Sequence, residues 1–357
     1  MTSNPFRTVL LVAASALMLT ACSGGDDSSP RFNSVVSFGD SLSDVGTYAA
    51  ATGPNGGKFT TNPGPVWIEN IASRLGLSIT PNIVGFGADQ TKWVVCGKPA
   101  CTGYAQGGAR VTAPNGIGNE TGTQAGALTI PVKTQIANHL AAHNGRFNPA
   151  ELVFLFAGNN DVFFQLGVFN QVAADPAKSP AVAKQVTDAA MTAAANELVL
   201  YARDEILAKG AQFVVMVNLP NSAQTPFGQK SLDANGRAVL EGLVNAFNTA
   251  LAKGIDDQQL NVLFVDANTA GRQVYTNPAA NGIINNQDAA CDPVKIAAAT
   301  GGREQSGSSL FCSGATLTAA AMLDNRFQFA DSAHPSTLGH KLLSDVIINA
   351  LSERNWL

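Results

Sequence analysis

The sequence predicts an α/β protein: one doubly wound parallel sheet of about five strands, with helices on both faces. Three observations carry this. Short, continuous apolar runs recur along the chain, as expected of strands buried on both faces. Segments with helical spacing of apolar residues separate them. An acidic residue and two hydroxyls, in "VVSFGDSLSD", stand where the first apolar run stops. That is where open α/β sheets place their chemistry, outside the carboxyl ends of the strands.

Val35–Phe38 reads as the first strand, ended by Gly39. Pro65–Leu77 reads as a helix with Trp67, Ile68, Ile71 and Leu75 on one face, and Ile130–His143 as another. Glu151–Gly158 is a second apolar strand, and a long Ala-rich helix is expected from about Pro180 to Lys209. Gln212–Asn218 is a third strand, Gly236–Gly254 a helix, and Leu260–Ala267 a fourth strand. The last segment, from Pro335 to Leu357, carries Leu338, Leu342, Ile347 and Leu351 as an amphipathic stripe. Two stretches interrupt the alternation, Ser78–Leu128 and Asn277–Gln328, both rich in Gly, Asn and Thr. Long irregular insertions of this kind are expected to form functional walls or lids.

The chain has 357 residues, 45% hydrophobic and 13% charged, with a formal net charge of -4. No basic stripe is available to neutralise phosphates, which argues against nucleic acid as a partner. No internal repeat or coiled-coil heptad is present. Arg7 and the apolar run Val9–Leu19 form a signal-like segment too short to span a bilayer as a mature helix. "LTAC" (Leu19 to Cys22) resembles a bacterial lipobox, in which Cys22 is acylated, and the polar "CSGGDDSSP" after it suits a flexible tether. The competing reading is an ordinary signal cut near Ala21, with the protein secreted. The expected organisation is therefore a signal peptide over 1–21, a tether over 22–32 and one domain over 33–357. An exported, monomeric protein is expected, attached to the membrane through Cys22, and Ser23 after the cysteine resembles signals sorted to the outer membrane.

Five cysteines less a lipidated Cys22 leave an even number. Local pairing of Cys96 with Cys101 and of Cys291 with Cys312 is the simplest connectivity in an oxidising compartment. Zinc is the competitor, but no His lies near either pair and the spacing is not that of zinc ligands.

Ser41 falls on the turn leaving the first strand, where Asp and Ser also suit a helix cap. A serine nucleophile needs a base, normally His, and the chain has four: His139, His143, His334 and His340. His139 and His143 share a helical face and read as a surface pair; no Glu lies between them to suggest a metal site. His340 lies inside the last helix and reads as structural. His334, in "FADSAHPSTLGH", precedes Pro335, which disfavours a helical conformation before it and suits the first helical position. Asp331, three residues earlier, can accept from the imidazole Nδ1–H and leave Nε2 free as the base. Candidate oxyanion donors are an Asn in "AGNND" and a backbone N–H in the glycine-rich "YAQGGAR".

Together these blocks resemble the GDSL, or SGNH, hydrolase family: "FGDSLSDVG" with Ser41, "YAQGGAR" with Gly108 rather than Gly107 at the oxyanion glycine, Gly158–Asp161 with Asn160 as donor, and Asp331 with His334. "GKFTTNPGPVWIENIASRLGL" and "NLPNSAQTP" resemble its bacterial lipase-like branch. Thr47 stands where Asn is common, and so does Gly103; neither position is catalytic. The resemblance implies a flavodoxin-like SGNH fold and a serine esterase or lipase with Ser41, Asp331 and His334 as triad. It implies Ser41, Gly108 and Asn160 as the oxyanion hole and needs no metal or cofactor. It also permits carbohydrate O-deacetylation. A non-catalytic lipoprotein that binds a surface ligand is the alternative of a different class, and it has no need of all these residues.

Overall fold

Strand β1 (Ser34–Gly39) is buried from Val35 onward, and β2 (Glu151–Phe156) along its whole length. Strands covered on both faces have no solvent side, which is why they read as nearly continuous apolar runs. The computed structural model describes residues 29–52, 56–86, 92–117 and 129–357. Within them β1 pairs in parallel with β2, from Ser34 opposite Glu151 to Gly39 opposite Phe156. β3 (Phe213–Val217) adds to β2 and β4 (Leu263–Val265) to β3, both in parallel.

The central sheet has four strands rather than about five. The fifth place, outside β1, is held by a single parallel bridge between Ser37 and Gly103. There the Ser37 N–H donates to the Thr102 carbonyl and the Tyr104 N–H to Ser37. Counting that bridge, the spatial order in chain numbering is 2-1-3-4-5, the flavodoxin-like order, whose switch point lies between β1 and β2.

The principal helices are α1 (Trp67–Arg74), α2 (Val132–Ala142), α3 (Asn159–Ala173), α4 (Pro180–Leu200), α5 (Ala234–Asp257), α6 (Ala267–Thr276) and α7 (Thr337–Glu353). α7 packs on α1 and α6, whereas α3, α4 and α5 pack on one another, so the helices form two groups flanking the sheet. Trp67 of α1 lies edge-on to Phe154 and Phe156 of β2, at 5.3 and 6.0 Å between ring centres. The Ala-rich segment is α-helical to Leu200 and finishes in a π-helical turn over Tyr201–Ile206 and a 3-10 turn over Leu207–Lys209.

Several sequence expectations are corrected. α3 and α6 were not anticipated, because Asn, Gly, Thr and Gln dilute their apolar pattern. α6 forms behind a cap, with Asp266 accepting from the Thr269 N–H at 3.0 Å. Pro335 does not open the last helix: Ser336 is its cap, and Pro335 instead bridges Phe329. His139 is not on the surface. It is fully buried, stacked on Phe147 at 4.3 Å and edge-on to Tyr104 at 5.3 Å, with Nε2 3.7 Å from a Glu151 oxygen. α2 packs against β1, so the turn that carries His139 faces the sheet while His143 stays exposed.

The disulfides Cys96–Cys101 and Cys291–Cys312 form as the local pairing anticipates. Residues 1–28, which include the signal-like segment and Cys22, lie outside the described residues.

Candidate active site

β1 and β2 deliver their chemistry to one point because they are neighbours of equal register. The strands approach closely at Gly39, where an added Cβ would stand 2.2 Å from the Phe156 carbonyl oxygen. Buried Gln135 grips the same residue, accepting from the Gly39 N–H at 2.9 Å and donating to its carbonyl at 2.8 Å. Ser41 begins a 3-10 turn capped by Asp40, whose carboxylate accepts from the Leu42 N–H at 3.0 Å.

From the other end of the chain, the tight turn after Phe327–Phe329 brings His334 to Ser41. Nε2 of His334 is 2.8 Å from Ser41 Oγ, and Nδ1 is 2.8 Å from an Asp331 oxygen. Phe59 packs against the imidazole at 4.8 Å between ring centres. The Asp331 carboxylate also accepts from the backbone N–H groups of His334 (2.7 Å), Ala333 (2.9 Å) and Ser309 (2.7 Å). Burial alone would raise the Asp331 pKa, but the facing imidazolium and these donors outweigh it and hold the carboxyl well below the usual carboxylate range. For His334, burial works downward, and the Asp331 charge and hydrogen bond overcome it, leaving the imidazole more basic than an ordinary histidine.

Asn160 lies in the first turn of α3, beside the switch point. Its side-chain NH2 donates one hydrogen to the Ala109 carbonyl at 2.8 Å, which leaves the second free. Gly108 has a φ of +83°, and a Cβ there would meet the Ile117 carbonyl oxygen at 2.5 Å. The Gly107 N–H is taken by Asp44 at 2.9 Å, whereas neither the Gly108 nor the Ser41 N–H has a partner among the described residues.

Three buried carboxylates tie these segments together. Asp44 accepts from Gly46, Thr47 and Gly107, so it joins the Ser41 turn to the glycine-rich loop. Asp161 accepts from the Arg110 guanidinium at 2.8 Å and the Val111 N–H at 3.0 Å, holding the far end of that loop. Asp40 receives the Asn159 side chain at 3.1 Å. Burial pushes Asp40 and Asp44 each up to about 6. The roles of Asp40, Asp44, Asn159 and Gln135 were not read from the sequence, although the first two stand inside the Ser41 block. His340, fully buried, accepts from the Trp67 N–H through Nδ1 and donates to the Phe59 carbonyl through Nε2.

Two cavities meet at Ser41, His334 and Asn160. One, of about 380 Å³, runs between α6, α7 and the segment from Pro220 to Phe227. The other, of about 500 Å³, is walled by Tyr48, Phe59, Phe86 and the 303–311 part of the second insertion. The insertions reach both cavities, through Ile117 and Gln328 in the smaller and through Phe86, Gly107, Gly108 and the 303–311 segment in the larger, while α6 and α7 supply the rest of the smaller cavity's apolar wall.

Fold and site together set Ser41, His334 and Asp331 in the arrangement of a Ser–His–Asp triad at the carboxyl end of a parallel sheet. Residues 35–347 match the model of the GDSL-like lipase/acylhydrolase family, and the chain belongs to that family. It is 29% identical over 215 residues to a phosphatidylcholine-sterol acyltransferase of Aeromonas hydrophila, a match over 56% of this chain and 48% of that protein. The chain thus spans about half the length of that relative. An extracellular lipase from Streptomyces rimosus, of known crystal structure, aligns over 89% of this chain and 99% of its own, at 18% identity and a TM-score of 0.41.

Proposed function

We propose that the protein is a serine esterase or lipase that cleaves carboxylic esters, lipid esters among them, through an acyl-enzyme on Ser41. The observation that carries this is the 2.8 Å contact between Ser41 Oγ and His334 Nε2, with Nδ1 held by Asp331. As Ser41 Oγ attacks the ester carbonyl carbon, its proton passes to His334 Nε2. The negative charge on the tetrahedral oxygen is met by the N–H groups of Ser41 and Gly108 and by the free hydrogen of Asn160 Nδ2. These donors are fixed in place before charge develops, and the N-terminus of α3 adds a favourable dipole. Collapse of the intermediate breaks the bond to the alcohol oxygen, which takes the proton from His334. Water then attacks the acyl-Ser41 carbonyl, gives a proton to His334, and the acid leaves as that proton returns to Ser41.

A lipid ester fits better than an acetylated sugar because the smaller cavity at Ser41 is lined by Leu342, Leu343, Val346, Val274 and Phe163 and by no Asp, Glu, Lys or Arg among the described residues. The name of the Aeromonas relative supports phospholipid esters as a substrate class. Cys22 is proposed to be lipid-modified, attaching the protein to the cell envelope. The test is a fluorophosphonate probe with peptide mapping, alongside hydrolysis of p-nitrophenyl esters. Labelling confined to Ser41, and lost in Ser41→Ala together with hydrolysis, is expected. An unlabelled Ser41 would overturn the reading. For the anchor, Cys22→Ala should release the protein from membranes; retention at unchanged mass would refute it.

A further inference from the structure

The two cavities that meet at Ser41 differ in chemistry. Among the described residues no Asp, Glu, Lys or Arg lines the smaller one, and His334 is the one titratable side chain in its lining. Its depth is formed by Leu342, Leu343 and Val346 of α7 and by Ala270, Gly271 and Val274 of α6. Of its polar neighbours, Thr225 donates to the Ser222 carbonyl at 2.7 Å and Asn221 accepts from the Ala223 N–H at 3.1 Å. An alkyl chain laid along the α6 and α7 side chains leaves water for apolar contact, which is favourable for every methylene buried. The larger cavity carries Arg303 and Glu304 at its wall. Arg303 donates to the Thr300 carbonyl and forms no ion pair among the described residues, so its charge is open to a ligand.

From this division, and resting on the hydrolase reading above, we infer that the cavity between α6 and α7 holds the acyl chain of the substrate, that the larger cavity holds the alcohol portion, and that Gly271 sets acyl length. Gly271 lies in the interior of α6 and lines the cavity. A Cβ built on it meets only Pro220, itself a lining residue, at 3.9 Å, which is ordinary contact. Any side chain at 271 therefore grows towards the cavity rather than into packed protein. Leu is also a better helix former than Gly, so the substitution favours α6.

The experiment measures kcat/KM on p-nitrophenyl esters from acetate to palmitate for the wild type, Gly271→Ala and Gly271→Leu, with circular dichroism on each. In the wild type, each methylene added within the cavity should raise kcat/KM about fourfold, until the cavity is full. A leucine side chain brings four carbons. It should displace about four methylenes and lower the ratio of long-chain to acetate kcat/KM by about 200-fold, with Ala intermediate. The inference is overturned if the wild type hydrolyses esters but neither variant moves that ratio, or if acetate and long-chain activity fall together. A wild type that cleaves no ester and leaves Ser41 unlabelled would instead defeat the hydrolase reading itself, so the two failures are told apart.

Discussion

Replacing Asp331 with Asn tests the triad where its geometry is most constrained. Asp331 meets four donors: the imidazole Nδ1 and the backbone N–H groups of Ser309, Ala333 and His334. An amide can keep its oxygen towards Ala333 and His334, which share Oδ1. Its NH2 then occupies the place of Oδ2, opposite the Ser309 N–H and Nδ1 of His334. Two donors cannot face each other, so His334 adopts the tautomer with Nδ1 unprotonated and the hydrogen on Nε2. That nitrogen now points a hydrogen at Ser41 Oγ and cannot take its proton. The expected loss in kcat is about 10⁴, or roughly 5 kcal/mol of barrier. The buried Ser309 N–H also loses its acceptor, which costs about 1–3 kcal/mol of stability. The pH profile adds a second reading. Only neutral His334 is a base, so activity rises with pH through its pKa, which Asp331 holds above that of an ordinary histidine. Without that carboxylate, burial dominates and lowers the pKa, so the acid limb moves to lower pH. Initial rates from pH 5 to 9, with urea unfolding of both proteins, give both quantities. A loss below tenfold, or an acid limb that stays in place, would refute the assigned role of Asp331.

Asn160→Ala should lower kcat by about 10²–10³ with KM nearly unchanged, because the oxyanion exists only in the transition state, and Asp161→Asn should lower it less; steady-state kinetics on both separate the roles. His340→Gln should improve the stability difference from wild type as pH falls. His340, buried and donating to Phe59, is pushed down to about 3, so between the unfolded value near 6.5 and that point the unfolded chain binds the extra proton. Stability from this group is then lost with falling pH at up to about 1.4 kcal/mol per unit, and thermal melts of the two proteins against pH should diverge. Asp40 and Asp44, raised by burial to about 6, act in the opposite sense in both proteins, so the comparison cancels them. Removing the Cys291–Cys312 bridge, which joins residues 21 apart, should reduce unfolding free energy by about 3 kcal/mol, read from urea midpoints.

What could be read in the sequence was whatever local chemistry dictates. Nearly continuous apolar runs marked β1, β2, β3 and β4, because burial in the sheet leaves little place for polar side chains; Ser37, buried within β1, is an exception. His334 stood out from the other histidines because of its neighbours Asp331 and Pro335, although the proline acts through a bridge to Phe329 and not as the first helical residue. What could not be read depends on contacts between distant segments. His139 looks solvent-facing in its own helix and is buried only because α2 lies against β1. α6 turns Ala267, Ala270, Gly271 and Val274 to the cavity, a stripe at helical spacing whose residues are too small to stand out among Asn, Thr, Arg and Gln in the sequence. The cavity itself arises where α6 meets α7, and nothing local to either segment announces it.

The same distinction explains the acidic residues inside the motif blocks. In a chain with few charges, Asp40, Asp44 and Asp161 are all buried, and none lies within hydrogen-bond distance of Ser41 Oγ or the His334 ring. Burial raises the pKa of each, so keeping them ionised near neutral pH opposes folding. Their partners show what offsets that cost: Asn159 for Asp40, the Gly107 N–H for Asp44, Arg110 and the Val111 N–H for Asp161. Each bond crosses from one block to another. A carboxylate has two acceptor oxygens and can hold donors from two loops at once, which a hydroxyl or an apolar contact does less well. The proposed oxyanion donors are thereby held relative to Ser41 by ties that do not run through Ser41 Oγ or the His334 ring. The acid in such a turn serves preorganisation where the serine serves attack: the donors must be in place before the charge appears.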